Sequence, residues 1–218
     1  VSGLLAYFPF DDDTVDHTGN GHDITASAVS VTSGKFGNAY HFDGVSSTMQ
    51  LGGQGMLEGA RTLCAWIKPV SVTGAGQPIF AGGSANVGDF FSIQSSTPAS
   101  SGDCGRAPAE GEPFLDHWGY ACILGDSLHV PNGAWSLLCY ANDGAGTERF
   151  FVNGTVVETM GMNYGFGLST VTIGSTTLDG STSQAHFHGA IDEVTIWDHA
   201  LTAAELATLW SDSVSCVP

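Results

Sequence analysis

The chain has 218 residues, 42% of them apolar, enough for one large β domain or two small ones with a real core. Against 22 Asp and Glu stand 5 Lys and Arg, a formal charge of −17, so nucleic-acid phosphates and anionic membrane surfaces would be repelled. The same balance suits divalent cations, a neutral ligand or a salty external medium, and it also serves solubility alone.

Charged residues make up only 12% and Gly is frequent, at 30 residues. With many Ser, Thr and short apolar runs, this predicts β structure with numerous turns. No run of about 18 apolar residues occurs, so no membrane span is expected. The opening VSGLLAYFPF lacks a charged leader and reads as the start of a mature domain rather than a signal peptide.

Leu4–Phe10 reads as a strand, ended by Pro9 and the run Asp11, Asp12, Asp13. Then comes DHTGNGHD, Asp16 to Asp23, where Asp16, Asn20 and Asp23 surround Gly19 and Gly21. Such a loop has the oxygens and the glycine-bent frame of half a calcium site. The alternative is an Asx-type turn made by Asp16 and Asn20. His17 and His22 are poor calcium ligands and are expected to point outward.

NAYHFDG and STMQLGG predict two short strands, RTLCAWIKP a long one stopped by Pro69, and QPIFAGG and FFSIQ two more. From Ser95 to about Leu115 the sequence is irregular and rich in Ser, Pro, Ala and Gly, which reads as an insertion. Patterning resumes with WGYACIL and AWSLLCYAND. ERFFVNGTVVET is a hairpin whose Asn153-Gly154 pair supplies the positive φ values of a type I′ turn. STVTIGST and AHFHGAIDEVTIWDHAL follow. One helix closes the pattern, with Thr202 as cap, Glu205 three residues on, and Leu206, Leu209 and Trp210 on its apolar face. The fold class expected is all-β: an antiparallel two-sheet jelly-roll sandwich with one short C-terminal helix. It is expected to be a single domain over residues 1–218, with the cysteine-bounded insertion at about 95–130.

None of the 5 cysteines forms a CxxC pair. Cys104 and Cys122 bracket the irregular segment and are paired on that ground. Cys64 and Cys139 fall in core strands and are paired with each other. Cys216 is left over, free for an intermolecular contact. A loop tied at both ends suggests an oxidising compartment. The alternative is 5 buried free thiols in a reducing one.

In GLLAYFPFDD, DHTGNGHD, GKFGNAYHFDG, RTLCAWIKP, AWSLLCYANDG, RFFVNGTVVET, VTIGS and FHGAIDEVTIWDHALTAAELATLW, the chain resembles the laminin-G-like, concanavalin-like jelly-roll family. The resemblance covers roughly residues 3–92 and 134–210 and fails across the insertion. It implies a sandwich whose first and last strands lie side by side. It also implies a structural Ca²⁺ between the N-terminal acidic loop and the Asp of IDEV, here Asp192, with Asp16 and Asn20 as ligands and Asp11 or Asp12 completing the site. Alternation puts Asp192 on one face with Val194 and Ile196, where an acid is costly unless paired or metal-bound. The alternative is that Asp192 takes hydrogen bonds from backbone N–H groups. His186 and His188 share a strand face and form a weak transition-metal candidate.

No E-x-D-x-E pattern or G-x-S-x-G elbow is present, and basic residues for a lyase are scarce, so catalytic residues are not assigned. A binding module is favoured. Its ligand-binding candidates are Asp116, His117, Trp118 and Tyr120 at the exit of the insertion, and Asn163, Tyr164 and Phe166 on a Gly-rich loop. Trp66, Trp135 and Trp197 are expected in the core. Asn153-Gly154-Thr155 is also a glycosylation sequon. The function expected is extracellular or cell-surface recognition of a glycan or a matrix or cell-surface protein. The alternatives are a carbohydrate-active enzyme or its accessory domain, and a subunit of an extracellular filament.

Overall fold

The computed structural model describes residues 2–51, 59–72, 77–84, 87–94, 108–117, 121–160, 170–176 and 185–211. The strands are β1 (Leu4–Phe8), β2 (Ile24–Ser27), β3 (Ser30–Ser33), β4 (Asn38–Asp43), β5 (Thr48–Leu51), β6 (Arg61–Pro69), β7 (Gln77–Ser84) and β8 (Val87–Gln94). They continue with β9 (Glu112–His117), β10 (Ala121–Leu124), β11 (Ser136–Asn142), β12 (Thr147–Val152), β13 (Thr155–Met160), β14 (Thr170–Ile173) and β15 (His188–Trp197), before the helix α1 (Ala203–Ser211). An 8-stranded sheet runs β13-β12-β11-β6-β15-β4-β3, with β1 also on β15, and a 7-stranded sheet runs β10-β9-β8-β7-β14-β5-β2. All the strand pairs are antiparallel, as the jelly-roll expectation requires.

Two apolar layers hold this together. Between the sheets, Leu63, Ile67, Leu138 and Ile191 meet Met49, Phe80, Phe91 and Ile173. On the other face of the 8-stranded sheet, Trp66, Leu137, Phe151 and Trp197 pack under α1 through Leu206. Residues of β6 therefore alternate between two buried layers, which is why RTLCAWIKP is apolar almost throughout. Trp66 and Trp197 are buried as expected, but in this second layer, where Trp210 of α1 stacks on Trp66 at 5.3 Å between ring centroids. Trp135 packs against the same layer.

Local signals are realised where the chemistry is explicit. Thr202 and Glu205 form a reciprocal capping box, the Thr202 N–H donating to Glu205 Oε2 at 2.8 Å and the Glu205 N–H to Thr202 Oγ1 at 3.3 Å. Asn153 and Gly154 have φ of 49° and 90° between β12 and β13. Cys64 and Cys139 stand directly opposite each other in the β6–β11 pair and form a disulfide. Cys104 and Cys216 lie outside the described residues, and Cys122 is placed in β10.

Three expectations change. The first strand ends at Phe8, before Pro9, rather than at Phe10. Strands β2 and β3 were not expected. The segment 95–130 is regular in part, because β9 and β10 extend the 7-stranded sheet from β8, burying Phe114, Leu115 and Ile123.

Strand β15 organises the rest. One edge pairs with β6 along most of its length. The other edge is shared: residues 188–191 pair with β4 and residues 194–197 with β1. The hand-over falls at Asp192 and Glu193, where the β6 register slips and Glu193 takes a φ of 51°. This bulge inverts the alternation. Ile191, Val194 and Ile196 all face the inter-sheet core, while Asp192 lies opposite Trp66 on the other layer's side. The expectation that Asp192 shares a face with Val194 and Ile196 is therefore corrected.

Candidate functional site

The DHTGNGHD loop is organised around the carboxylate of Asp16, which is 3% exposed. Asp16 Oδ1 accepts the Tyr7 N–H at 3.2 Å, the Thr18 N–H at 3.0 Å and the Thr18 hydroxyl at 2.7 Å. Oδ2 accepts the His22 N–H at 3.2 Å. Gly19 and Gly21, with φ of 80° and 83°, bend the chain so that N–H groups rather than carbonyls face this centre. Burial pulls the Asp16 carboxyl upward, but the bonds from Thr18, Tyr7 and His22 outweigh it and hold the group below its ordinary value. Asn20 turns its amide N–H to the Leu5 carbonyl at 2.9 Å, and Asp23 accepts the Asp16 N–H at 2.9 Å. His17 is exposed and His22 half-buried.

A second group of acids sits at the β15 hand-over, where β1 and β4 part. Asp192 Oδ2 accepts the N–H groups of Lys35 and Phe36 at 2.8 and 3.2 Å, and Oδ1 that of Glu193 at 2.9 Å. Asp11 Oδ1 accepts the Asn38 N–H at 2.8 Å, and the Asn38 amide donates back to the Asp11 carbonyl at 2.8 Å. The Tyr7 hydroxyl donates to Glu193 Oε2 at 2.7 Å. These acids satisfy backbone donors that would otherwise be orphaned in the gap between two strands. Burial pushes Asp192 up to about 7, with the Glu193 charge adding to it against the opposing N–H bonds. Burial also raises Glu193, the Tyr7 hydroxyl opposes it, and the Asp11 charge reinforces it.

Asp16 and Asp192 share no partner in these bonds, and each takes N–H donors where a cation would need free oxygens. Among the described residues no three His, Cys, Asp or Glu side chains form a metal-holding group. The bonds around Asp16 and Asp192 have the form of the Asx-turn and N–H-bonded alternative. Asp12, beside Asp11, is exposed. His186 bonds the Ser47 carbonyl at 3.0 Å, whereas His188 meets His41 edge to face at 6.0 Å between centroids, so the pair does not converge on a metal.

The outer face of the 8-stranded sheet, beyond the part covered by α1, carries a cleft of ≈ 170 Å³. His41 of β4, Ala190 of β15 and Lys68 of β6 line it side by side, with Thr32 of β3, opposite Ala39, at one end and Val70 at its rim. The register puts Ala190 between His41 and Lys68 as the partner of both. Small residues on β15 make the depression. A Cβ on Gly189 would stand 2.4 Å from the Lys68 carbonyl, so only Gly lets β6 approach there.

Of the ligand-binding candidates from sequence, Asp116 and His117 end β9, paired with Cys122 and Ala121 of β10. Trp118, Tyr120, Asn163, Tyr164 and Phe166 lie outside the described residues. Asn153 is half-buried. Its side-chain Oδ1 accepts the Leu137 N–H and its side-chain amide donates to Ser136 Oγ, both at 3.0 Å, which ties it into the turn.

Residues 43–207, most of the chain and everything from the last residue of β4 to the middle of α1, match the concanavalin A-like lectin/glucanases superfamily. The chain belongs to that superfamily. No curated protein matches it in sequence. Among solved structures it is similar to domain 4 of AbnA, a GH43 extracellular arabinanase from Geobacillus stearothermophilus, determined in complex with arabinotriose. Identity is 23% and TM-score 0.69, over 95% of this chain and 98% of that one. It is similar to the binding domain of Paraclostridial Mosquitocidal Protein 1, at 13% identity and TM-score 0.70, over 95% of this chain and 52% of that one. A botulinum neurotoxin type C structure, described by interaction with two ganglioside molecules, gives 12% identity and TM-score 0.70, over 97% and 51%. This chain thus spans about half the length of the toxin chains but nearly all of the arabinanase domain. At these identities the likeness concerns the fold alone. No helix among the described residues is long and apolar enough to cross a membrane.

Proposed function

We propose that this chain is an extracellular recognition module that binds a carbohydrate, free or displayed on a cell-surface or matrix partner. The observation that carries the reading is the similarity over 98% of a domain solved with arabinotriose, since it matches a whole carbohydrate-complexed unit rather than a shared core. The lined cleft on the outer sheet face adds a place of the right kind. It is small against the roughly 300 Å³ or more of a drug-sized pocket and so suits one or two sugar residues. The buried Cys64–Cys139 disulfide and the extracellular arabinanase support a place outside the cell.

A second reading is favoured by the same neighbour. The chain is then the accessory domain of a carbohydrate-active enzyme, delivering a catalytic unit to its polysaccharide. Both readings require saccharide binding. An array of neutral and acidic oligosaccharides, arabinotriose included, tests it. Saturable binding to one glycan class is expected, and silence on every saccharide overturns the reading.

A further inference from the structure

The outer-face cleft has a chemistry that stands apart from the rest of this acidic chain, and its walls say what it would hold. Four basic residues besides Lys68 occur in the sequence: Lys35, Arg61, Arg106 and Arg149. Lys35 lays its ammonium over the Trp66 ring at 4.4 Å from the centroid. Arg61 is fully buried, with a guanidinium nitrogen on the Gly59 carbonyl. Arg149 has partners of its own, and Arg106 lies outside the described residues. Lys68 is exposed, and no hydrogen bond or ion pair among the described residues engages its ammonium. In a chain of charge −17, a surface ammonium with no carboxylate beside it needs a local cause. The cause is the register: Lys68 is flanked across β15 by Ala190 and then by His41, not by an acid.

Two acids lie near this face in the strand register, and both are turned to backbone donors: Asp192, opposite Trp66, accepts the Lys35, Phe36 and Glu193 N–H groups. Asp43, opposite His188, accepts the Val45, Ser46 and Ser47 N–H groups and the Ser46 hydroxyl, all within 2.9 Å, and so closes its own turn. His41 is half-buried, with only the edge of His188 against its ring and no hydrogen bond on its nitrogens among the described residues. The cleft thus gathers an ammonium, an imidazole and the Thr32 hydroxyl beside the exposed apolar rim of Val70.

We infer that this cleft binds an acidic saccharide residue, with its anionic group between Lys68 and His41 and the C–H face of its ring against Val70, which is exposed at the rim. The inference rests on the carbohydrate-recognition reading and names the ligand class within it. A charge-assisted bond from Lys68 to a carboxylate or sulfate is stronger than a neutral one and is local enough to win over the diffuse repulsion of distant acids, which salt screens. The Thr32 hydroxyl adds a donor or acceptor for a sugar hydroxyl.

The test is calorimetric titration of the whole chain with a galacturonic acid trisaccharide, its methyl ester, a sulfated disaccharide and arabinotriose. Wild type, Lys68→Met and His41→Asn are compared, with melting curves to show that the variants fold. The acid trisaccharide is expected to bind wild type and to lose about tenfold or more in Lys68→Met, with a smaller loss in His41→Asn. The methyl ester should bind no better than Lys68→Met binds the acid. Binding of the sulfated sugar alone, lost in Lys68→Met, assigns the anion to sulfate and still supports the cleft. Equal binding of acid and ester, unchanged by Lys68→Met, overturns the inference and leaves carbohydrate recognition standing. Failure of every saccharide overturns both.

Discussion

The hydroxyl of Tyr7 donates to Glu193 Oε2 at 2.7 Å, joining the first strand to the last across 186 positions of sequence. Both residues are buried, and Glu193 sits at the bulge where β15 passes from β4 to β1. Removing the hydroxyl leaves a buried carboxylate without this donor. Tyr7→Phe is therefore expected to destabilise the fold by about 1–3 kcal/mol, read as a lower urea midpoint at unchanged slope. A midpoint equal to wild type would contradict this account of the junction.

The Asp16 knot predicts both a mutational and a metal result. Asp16→Ala orphans the Tyr7, Thr18 and His22 N–H groups at once and should cost about 2 kcal/mol or more. Because the Asp16 carboxyl is held below 3.8, its contribution is present above that pH and is lost as pH falls through its lower folded value. Its oxygens are already bonded, so removing calcium with EDTA is expected to move the Tm by less than about 2 °C. A fall of about 5 °C or more, restored by calcium, would show that a cation holds this end of the sandwich.

The acids at the hand-over work in the opposite direction. Asp192 is pushed up to about 7 from 3.8, so between those values the folded chain keeps a proton the unfolded chain has released. Stability then falls as pH rises through that window, by at most about 1.4 kcal/mol per pH unit for one group. Melting is expected at higher temperature at pH 5 than at pH 7.5, and Asp192→Asn should flatten the slope. An unchanged slope in the variant would place the dependence elsewhere.

The Cys64–Cys139 disulfide closes a loop of 75 residues beneath α1. Reducing it under native conditions should be slow, because Cys64 and Cys139 are 2% and 0% exposed. Once both are replaced by Ala, a loss of about 2–4 kcal/mol is expected in chemical denaturation, since the unfolded chain regains the entropy of that loop. No loss would mean that the packing around Trp66 and Phe151 sets the stability there by itself.

Much of this fold was legible because its signals are local. Alternating apolar runs gave most of the strands, Asn153-Gly154 the hairpin, and Thr202 with Glu205 the helix start. Strands β2 and β3 escaped because ITAS and SVTS are mostly polar and exposed edge strands with little periodicity. Asp192 was placed on the wrong face because alternation assumes an unbroken strand, and a bulge inverts it. The cleft was invisible for a different reason. His41, Lys68 and Ala190 are far apart in sequence and become neighbours only through the order β6-β15-β4.

The most direct measurement is an amide NMR titration of the labelled chain with arabinotriose and with a galacturonic acid trisaccharide, each to about 10 mM, enough to detect even millimolar affinity. Recognition through the outer sheet face predicts saturable shifts centred on Thr32, His41, Lys68 and Gly189, larger with the acidic sugar. Spectra unchanged by either saccharide would contradict the account.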